Sequence, residues 1–158
     1  MNNLLFEVQG EAPYYETIAG GSGAMDGCPG ASGVQVHMTN TSITDPETLE
    51  ARFPVRLLGF KIRKNSGGKG KWNGGDGIER EYIFEEQTNL SLLTQNRNTG
   101  ADGIAGGGRG EPGEQIVVRE NGKTEVISSI QSLLMHPGDR LILRTPGGGG
   151  AGNLEVQT

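Results

Sequence analysis

The sequence predicts a mainly β domain of the α+β kind, with short, largely antiparallel strands, long glycine-rich loops and one short helix near residues 45–53. Three observations carry that prediction. Apolar residues alternate with polar ones over short runs, the period of a half-buried strand. Glycine takes 28 of 158 positions, far above its usual share of about 7%, and it clusters between those runs. One stretch alone, around Thr44 to Pro54, carries helix start and stop signals.

The elements follow in order. Residues 1–13 carry little pattern beyond Leu4-Leu5-Phe6 and read as a remnant of an upstream element. A glycine loop spans 19–33. Val34, Val36 and Met38 then alternate with Gln35 and His37, which predicts a short strand with an apolar core side. His37 and Thr39 would share its polar side. In Thr44-Asp45-Pro46-Glu47, either Thr44 caps the helix with Glu47 in a capping box, or Asp45 caps it with Pro46 in the first turn. Leu49 and Phe53 are spaced to share one face, and Pro54 stops the helix.

Residues 55–63 read as a strand with Leu58, Phe60 and Ile62 on one face. A second glycine loop, Gly67 to Gly77, surrounds Trp72. Glu79–Glu85 and Leu90–Thr94 read as strands, and 96–112 as a third loop. Gln115–Glu120 and Lys123–Ile127 flank Asn121-Gly122, the pair favoured in a type I′ hairpin turn. Pro137-Gly138 fits the centre of a type II turn before a last strand, Arg140–Arg144. Each ordered glycine costs backbone entropy, about 0.5–1 kcal/mol relative to alanine, so such loops need a compensating contact. A ligand or a partner would supply one.

Length implies a single domain, residues 1–158, large enough to bury a core. A net charge of −5 argues against a nucleic-acid partner, which would select a basic face. The basic stretch of Lys61, Arg63, Lys64, Lys69 and Lys71 reads as a solvated strand end and loop. Cys28 is the single cysteine, which excludes an intrachain disulfide and fits a reducing compartment. No apolar run approaches the roughly 20 residues of a membrane helix, and the N-terminus lacks a basic region or apolar signal core. A cytoplasmic protein is expected, with neither nucleic acid nor membrane as partner.

No phosphate-binding Walker loop is present. Gly147-x-Gly149-x-x-Gly152 matches a dinucleotide pattern in letters, but too few residues follow for a βαβ unit. No close Cys/His pair has zinc spacing, so no metal site is expected. Glu16 precedes Thr17 and Gly20-Gly21-Ser22-Gly23, whose backbone N–H groups could converge on an anion. It could serve as an acid/base, a metal ligand or a loop anchor. His37 sits beside Thr39 and Asn40. It either makes a structural hydrogen bond or joins a cluster that binds an amide or carboxylate. Arg97 leaves a strand within Thr94-Gln95-Asn96-Arg97-Asn98, where its planar fork suits a local acid or a substrate carboxylate. Arg80 has Glu79 and Glu81 as ready neighbours across a sheet. His136 reads as a solvated turn residue. Cys28, between glycine and proline with no basic neighbour, is a poor nucleophile.

Taken in order, several short motifs resemble the C-terminal portion of the hydantoinase B / 5-oxoprolinase family. They are Glu16-Thr17-Ile18-Ala19-Gly20-Gly21-Ser22-Gly23-Ala24, His37-Met38-Thr39-Asn40-Thr41, Glu47 to Pro54, Gly68-Lys69-Gly70, Gly74-Gly75-Asp76-Gly77 and Thr145-Pro146-Gly147-Gly148-Gly149-Gly150. The resemblance runs from about Tyr14 to Gly150. It implies the C-terminal fragment of a larger subunit that opens 5-oxoproline to glutamate, or a hydantoin ring, with ATP hydrolysis. Related assemblies carboxylate ketones, and a non-catalytic assembly module is the rival reading.

It implies a hydantoinase A-like ATPase subunit or domain as partner and a small cyclic amide as substrate, and it leaves room for a homo-oligomer. ATP and Mg would come through the ATPase module, and a divalent metal would belong to a missing N-terminal region, with none held here. The fragment alone is expected to be inactive. Glu16 and His37 are the candidate catalytic residues, and Asn40, Arg97, Gly20, Gly21 and Gly23 the candidate substrate-binding ones. The chain departs from the family at Ala151-Gly152-Asn153, where a Tyr-Gly-Asp type sequence is more usual.

Overall fold

The computed structural model describes residues 1–36 and 41–154. Two antiparallel sheets form the molecule. Strands β1 (Asn2–Val8), β2 (Tyr14–Thr17), β5 (Thr88–Thr94) and β8 (Ile130–Met135) make a four-stranded sheet in the order β2-β1-β5-β8. Strands β3 (Val55–Ile62), β4 (Ile78–Phe84), β6 (Glu114–Val118), β7 (Thr124–Val126) and β9 (Arg140–Arg144) make a five-stranded sheet in the order β3-β4-β9-β6-β7. Helix α1 spans Pro46–Arg52.

Alternation decides which residues meet between the sheets. Leu4, Phe6, Leu90, Leu92 and Met135 point inward from one sheet, and Ile78, Tyr82, Phe84, Val117, Leu141 and Leu143 from the other. Phe6 and Phe84 meet edge-to-face across the interface, centroids 6.1 Å apart. Leu49 of α1 is fully buried in the same core.

The N-terminal segment corrects its sequence reading. It forms a full strand of the sheet: β1 pairs with β2 on one side and along all of β5 on the other. Asn2, Leu4, Phe6 and Val8 are its buried face. Polar Asn2 at that face and apolar Leu5 on the other hide the alternation. The expected 34–38 strand reduces, over its described part, to a bridge between Val34 and Gly20. Val36 is partly exposed, and Met38 lies outside the described residues.

The helix cap resolves to Asp45. Its Oδ1 accepts from the N–H groups of Glu47 (3.0 Å) and Thr48 (3.2 Å), with Pro46 in the first turn. A bulge between Leu57 and Gly59 interrupts β3, so Leu58 does not share the regular alternation of Phe60 and Ile62. The Pro137-Gly138 turn is as read, with Gly138 at φ 86° and Asp139 N–H donating to His136 O at 3.0 Å. The Asn121-Gly122 turn is not type I′. Gly122 has positive φ and Asn121 does not, and Arg119 closes on both Gly122 and Lys123. That pattern is a type I turn followed by a glycine bulge, the three-residue alternative.

Candidate functional site

The glycine segments pack on one another. Gly147–Gly150 runs through their middle. Gly148 N–H donates to Gly75 O (2.9 Å), and Gly148 O accepts from Gly68 N–H (2.8 Å). Gly149 O accepts from Ala24 N–H (2.8 Å), and Gly150 N–H donates to Gly108 O (2.9 Å). Four distant stretches, near 22–24, 67–75, 102–104 and 108–111, thus surround one chain. The neighbours sit where side chains would be. A Cβ on Gly147, Gly148 or Gly149 would run into the backbone of Ser66, Ser22 or Asp102. Glycine is needed here for close approach, and the backbone hydrogen bonds offset its entropic cost.

One wall of this bundle borders a cleft of about 500 Å³ lined by Gly20, Gly21, Gly23, Thr17, Asn96 and Gly148, among others. Gly20, Gly21 and Gly23, candidates from sequence, all lie on this wall. Two of their N–H groups are already committed: Gly20 donates to Val34 O (3.3 Å) and Gly21 to Pro146 O (3.1 Å). The glycines therefore shape the wall by their lack of side chains. Polar chemistry comes from neighbours. Asn96 sits at φ 54°, a left-handed conformation asparagine tolerates, with its side chain exposed at the rim. Gln35 donates to Thr17 O at 2.6 Å and also lines the cleft. Val36 also lines the cleft and is followed by His37, but His37 and Asn40 lie outside the described residues.

Glu16 is elsewhere. Register places it opposite Leu4 on the inward face of β2, and it is buried. Its Oε2 accepts from Arg80 Nη1 at 2.8 Å and from the Tyr14 hydroxyl, and its Oε1 accepts from Thr44 N–H at 3.3 Å. Burial, with the Glu16 carboxylate added, pushes the Tyr14 hydroxyl above the ordinary tyrosine range. Arg80 does not pair with Glu79 or Glu81. Those face outward, where Glu79 meets Lys61 and Arg144 and Glu81 meets Arg140. Arg80 points inward, its guanidinium 5.0 Å from the Tyr82 ring, with Nε and Nη2 buried and unpartnered.

Arg97 stands behind the cleft wall. Its Nη1 donates to Asn2 Oδ1 (3.0 Å) and Gln95 O (2.7 Å), and its Nε to Gln115 Oε1 (3.3 Å). Asn2 and Gln95 both line the cleft, so Arg97 braces that wall. Among the described residues it has no carboxylate partner. Arg63, read from sequence as part of a solvated basic run, is half-buried and donates to Pro112 O at 2.6 Å and Thr145 O at 3.3 Å. The chain offered one signal for it: Arg63 is arginine among lysines at the end of an alternating strand. His136 is exposed at its turn, and Cys28 is exposed with its thiol toward Pro29 O.

Among the described residues, no three His, Cys, Asp or Glu side chains converge to hold a metal ion. No helix among them is long and apolar enough to cross a membrane.

Comparison with known proteins places this geometry. The model of the family described as "Hydantoinase B/oxoprolinase" matches residues 1–154. The chain is 46% identical over 154 residues to a 5-oxoprolinase of Dictyostelium discoideum, covering 96% of this chain and 12% of that protein. It is 42% identical over 153 residues to 5-oxoprolinase 1 of Arabidopsis thaliana, covering 97% and 12%. It thus spans about an eighth of the length of these relatives. Two solved structures share the fold. One is an ATP-dependent caprolactamase from Pseudomonas jessenii, with a TM-score of 0.73, 23% identity, and 96% of this chain and 28% of that one covered. The other is a nucleotide-free acetone carboxylase, with a TM-score of 0.72, 18% identity, and 96% and 25% covered.

Proposed function

The chain belongs to the hydantoinase B/oxoprolinase family, and on that premise we propose that it works as a C-terminal domain of a larger ATP-dependent cyclic-amide hydrolase. In this reading the whole enzyme opens 5-oxoproline to glutamate, or a hydantoin ring. The observation that carries it is the cleft walled by the glycine bundle. It is of small-ligand size, and its wall lacks the side chains that would fill it.

An unstrained lactam is a poor electrophile, so ring opening needs activation, and ATP hydrolysis by a hydantoinase A-type partner would supply it. This chain's own part is to hold the ring and exclude water. The exposed side-chain amide of Asn96 offers a donor and an acceptor that match a lactam edge, with Gln35 beside it on the lining. His37 and Asn40 are the proposed additions from the segment after Val36. Arg97 acts by bracing Asn2 and Gln95. Glu16 enters as a positioning residue, because its carboxylate locks β2 onto β4 directly before the glycine segment. The setting proposed is the cytoplasm.

A second reading, an assembly module, is favoured by one observation. Leu58, Phe60 and Ile62 are about half-exposed along the edge strand β3. The test is ATP-dependent glutamate release from 5-oxoproline by the full-length parent with its A-type subunit. Release that requires ATP supports the proposal. An intact complex that releases no glutamate and opens no hydantoin contradicts it and turns the search to ketone carboxylation, the activity named for one fold neighbour.

A further inference from the structure

A second cleft, of about 630 Å³, opens on the far side of Arg97, between the residues around 97–98, 112–115 and 126–129. Two arginines line it, Arg63 and Arg97. Elsewhere in the molecule arginine meets carboxylate as a rule: Arg56 with Glu85, Arg80 with Glu16, Arg109 with Asp102, Arg119 with Asp139, Arg140 with Glu81 and Arg144 with Glu79. Among the described residues, exposed Arg52 and the half-buried Arg63 and Arg97 break that rule. All acceptors of Arg63 and Arg97 are neutral, being the carbonyls of Pro112, Thr145 and Gln95 and the side-chain amides of Asn2 and Gln115. Arg97 Nη2 is buried with no acceptor at all. Two guanidiniums thus share one cleft in a chain whose net charge is −5.

The two charges feel each other. Burial, with Arg63's charge added, pulls the Arg97 pKa down to about 10. Arg97 remains charged at neutral pH. Glu114 is the one carboxylate on the lining, and its Oε2 already takes Arg144 Nη1 at 2.7 Å. A guanidinium presents a planar fork of donors suited to two oxygens of one anion. The rest of the lining is mixed. Asn98 and Ser129 add polar groups, and Pro112, Val126 and Ile127 add apolar surface.

We propose that this cleft is an oxyanion site in which the Arg63 guanidinium takes the carboxylate or phosphate head of a small acidic molecule, while the charge of Arg97, held in the cleft wall, adds to the attraction. The body of that molecule lies along Pro112, Val126 and Ile127. This site is separate from the glycine-walled cleft and does not rest on the cyclic-amide reading.

The test is an amide chemical-shift titration of the 158-residue chain with sodium malonate and, separately, sodium phosphate. Sodium chloride at matched ionic strength removes general screening. Saturable shifts at Asn98, Ser128 and Ser129 that chloride does not reproduce are expected. Saturation by malonate alone assigns a carboxylate ligand, and by phosphate alone a phosphate ligand. Arg63→Gln should raise the midpoint about tenfold, as loss of one charge-assisted pair requires. Val126 is 71% exposed, so Val126→Glu leaves the fold intact and should abolish saturation by placing a negative charge at the cleft. No saturation by either anion overturns the proposal. So does an unchanged midpoint in both variants.

Discussion

Glu16 shows how one residue type supports several roles in sequence and a narrower one in three dimensions. Its carboxylate is the counter-ion of Arg80, whose side chain is fully buried between the sheets. Removing one member of such a pair leaves an unpaired buried charge. Glu16→Gln should lower the unfolding free energy by about 3–5 kcal/mol in urea titration, and adding Arg80→Met should recover much of that loss. A single-variant loss below about 1 kcal/mol would contradict the buried-pair account. The sequence could not show this partnership, since 64 positions separate the two residues and Glu79 and Glu81 stand beside Arg80.

Asp139 is a second buried carboxylate. Burial alone would raise its pKa, but the N–H groups of His136 and Glu120 and the Arg119 guanidinium hold it below its ordinary 3.8. A depressed folded pKa contributes stability that is present above the unfolded value and lost as pH falls through the folded one. Asp139→Asn should therefore lower Tm at pH 6 and flatten its fall below about pH 4. Parallel melting curves for the two proteins across pH 6 to 3 would refute that role.

Elements governed by local chemistry were legible, and those governed by distant pairing were not. Helix α1, the Pro137-Gly138 turn and strand Arg140–Arg144 rest on neighbours in sequence, and each was readable, with the cap left between Thr44 and Asp45. Strand β1 was not, because its buried face includes Asn2 and its other face includes Leu5. The glycine segments were visible as composition, but their mutual hydrogen bonds join distant positions, as in Gly68 N–H to Gly148 O and Ala24 N–H to Gly149 O. Their donors were expected to face a ligand, whereas at Gly20 and Gly21 they face backbone carbonyls. Gly148→Ala should therefore cost about 3 kcal/mol or more, because its Cβ would meet the Ser22 backbone. Gly122→Ala, with open space but φ at 84°, should cost only about 1–2 kcal/mol of backbone strain. Equal losses in chemical denaturation would contradict close packing as the reason for the tetraglycine.

At the scale of the molecule, two sheets and a glycine bundle bring residues from both ends of the chain to one cleft. Asn2 and Thr17 come from the N-terminal strands, Asn96 from the end of β5, and Gly147 and Gly148 from beyond β9. The motifs that pointed to the family are largely those that build this wall, so the candidate site was legible in outline while its polar members, Gln35 and Asn96, were not. Its direct test is Gly23→Leu in the full-length parent of the proposed hydrolase, assayed with a hydantoinase A-type subunit. Gly23 lines the cleft and is exposed, and the nearest atom to an added Cβ is 3.9 Å away, so the fold can accept the change. ATP-dependent glutamate release from 5-oxoproline should fall at least about tenfold, a barrier increase of about 1.4 kcal/mol, while the complex stays intact by size-exclusion chromatography. Wild-type turnover, or loss of the complex itself, would contradict a substrate-holding role for the glycine-walled cleft.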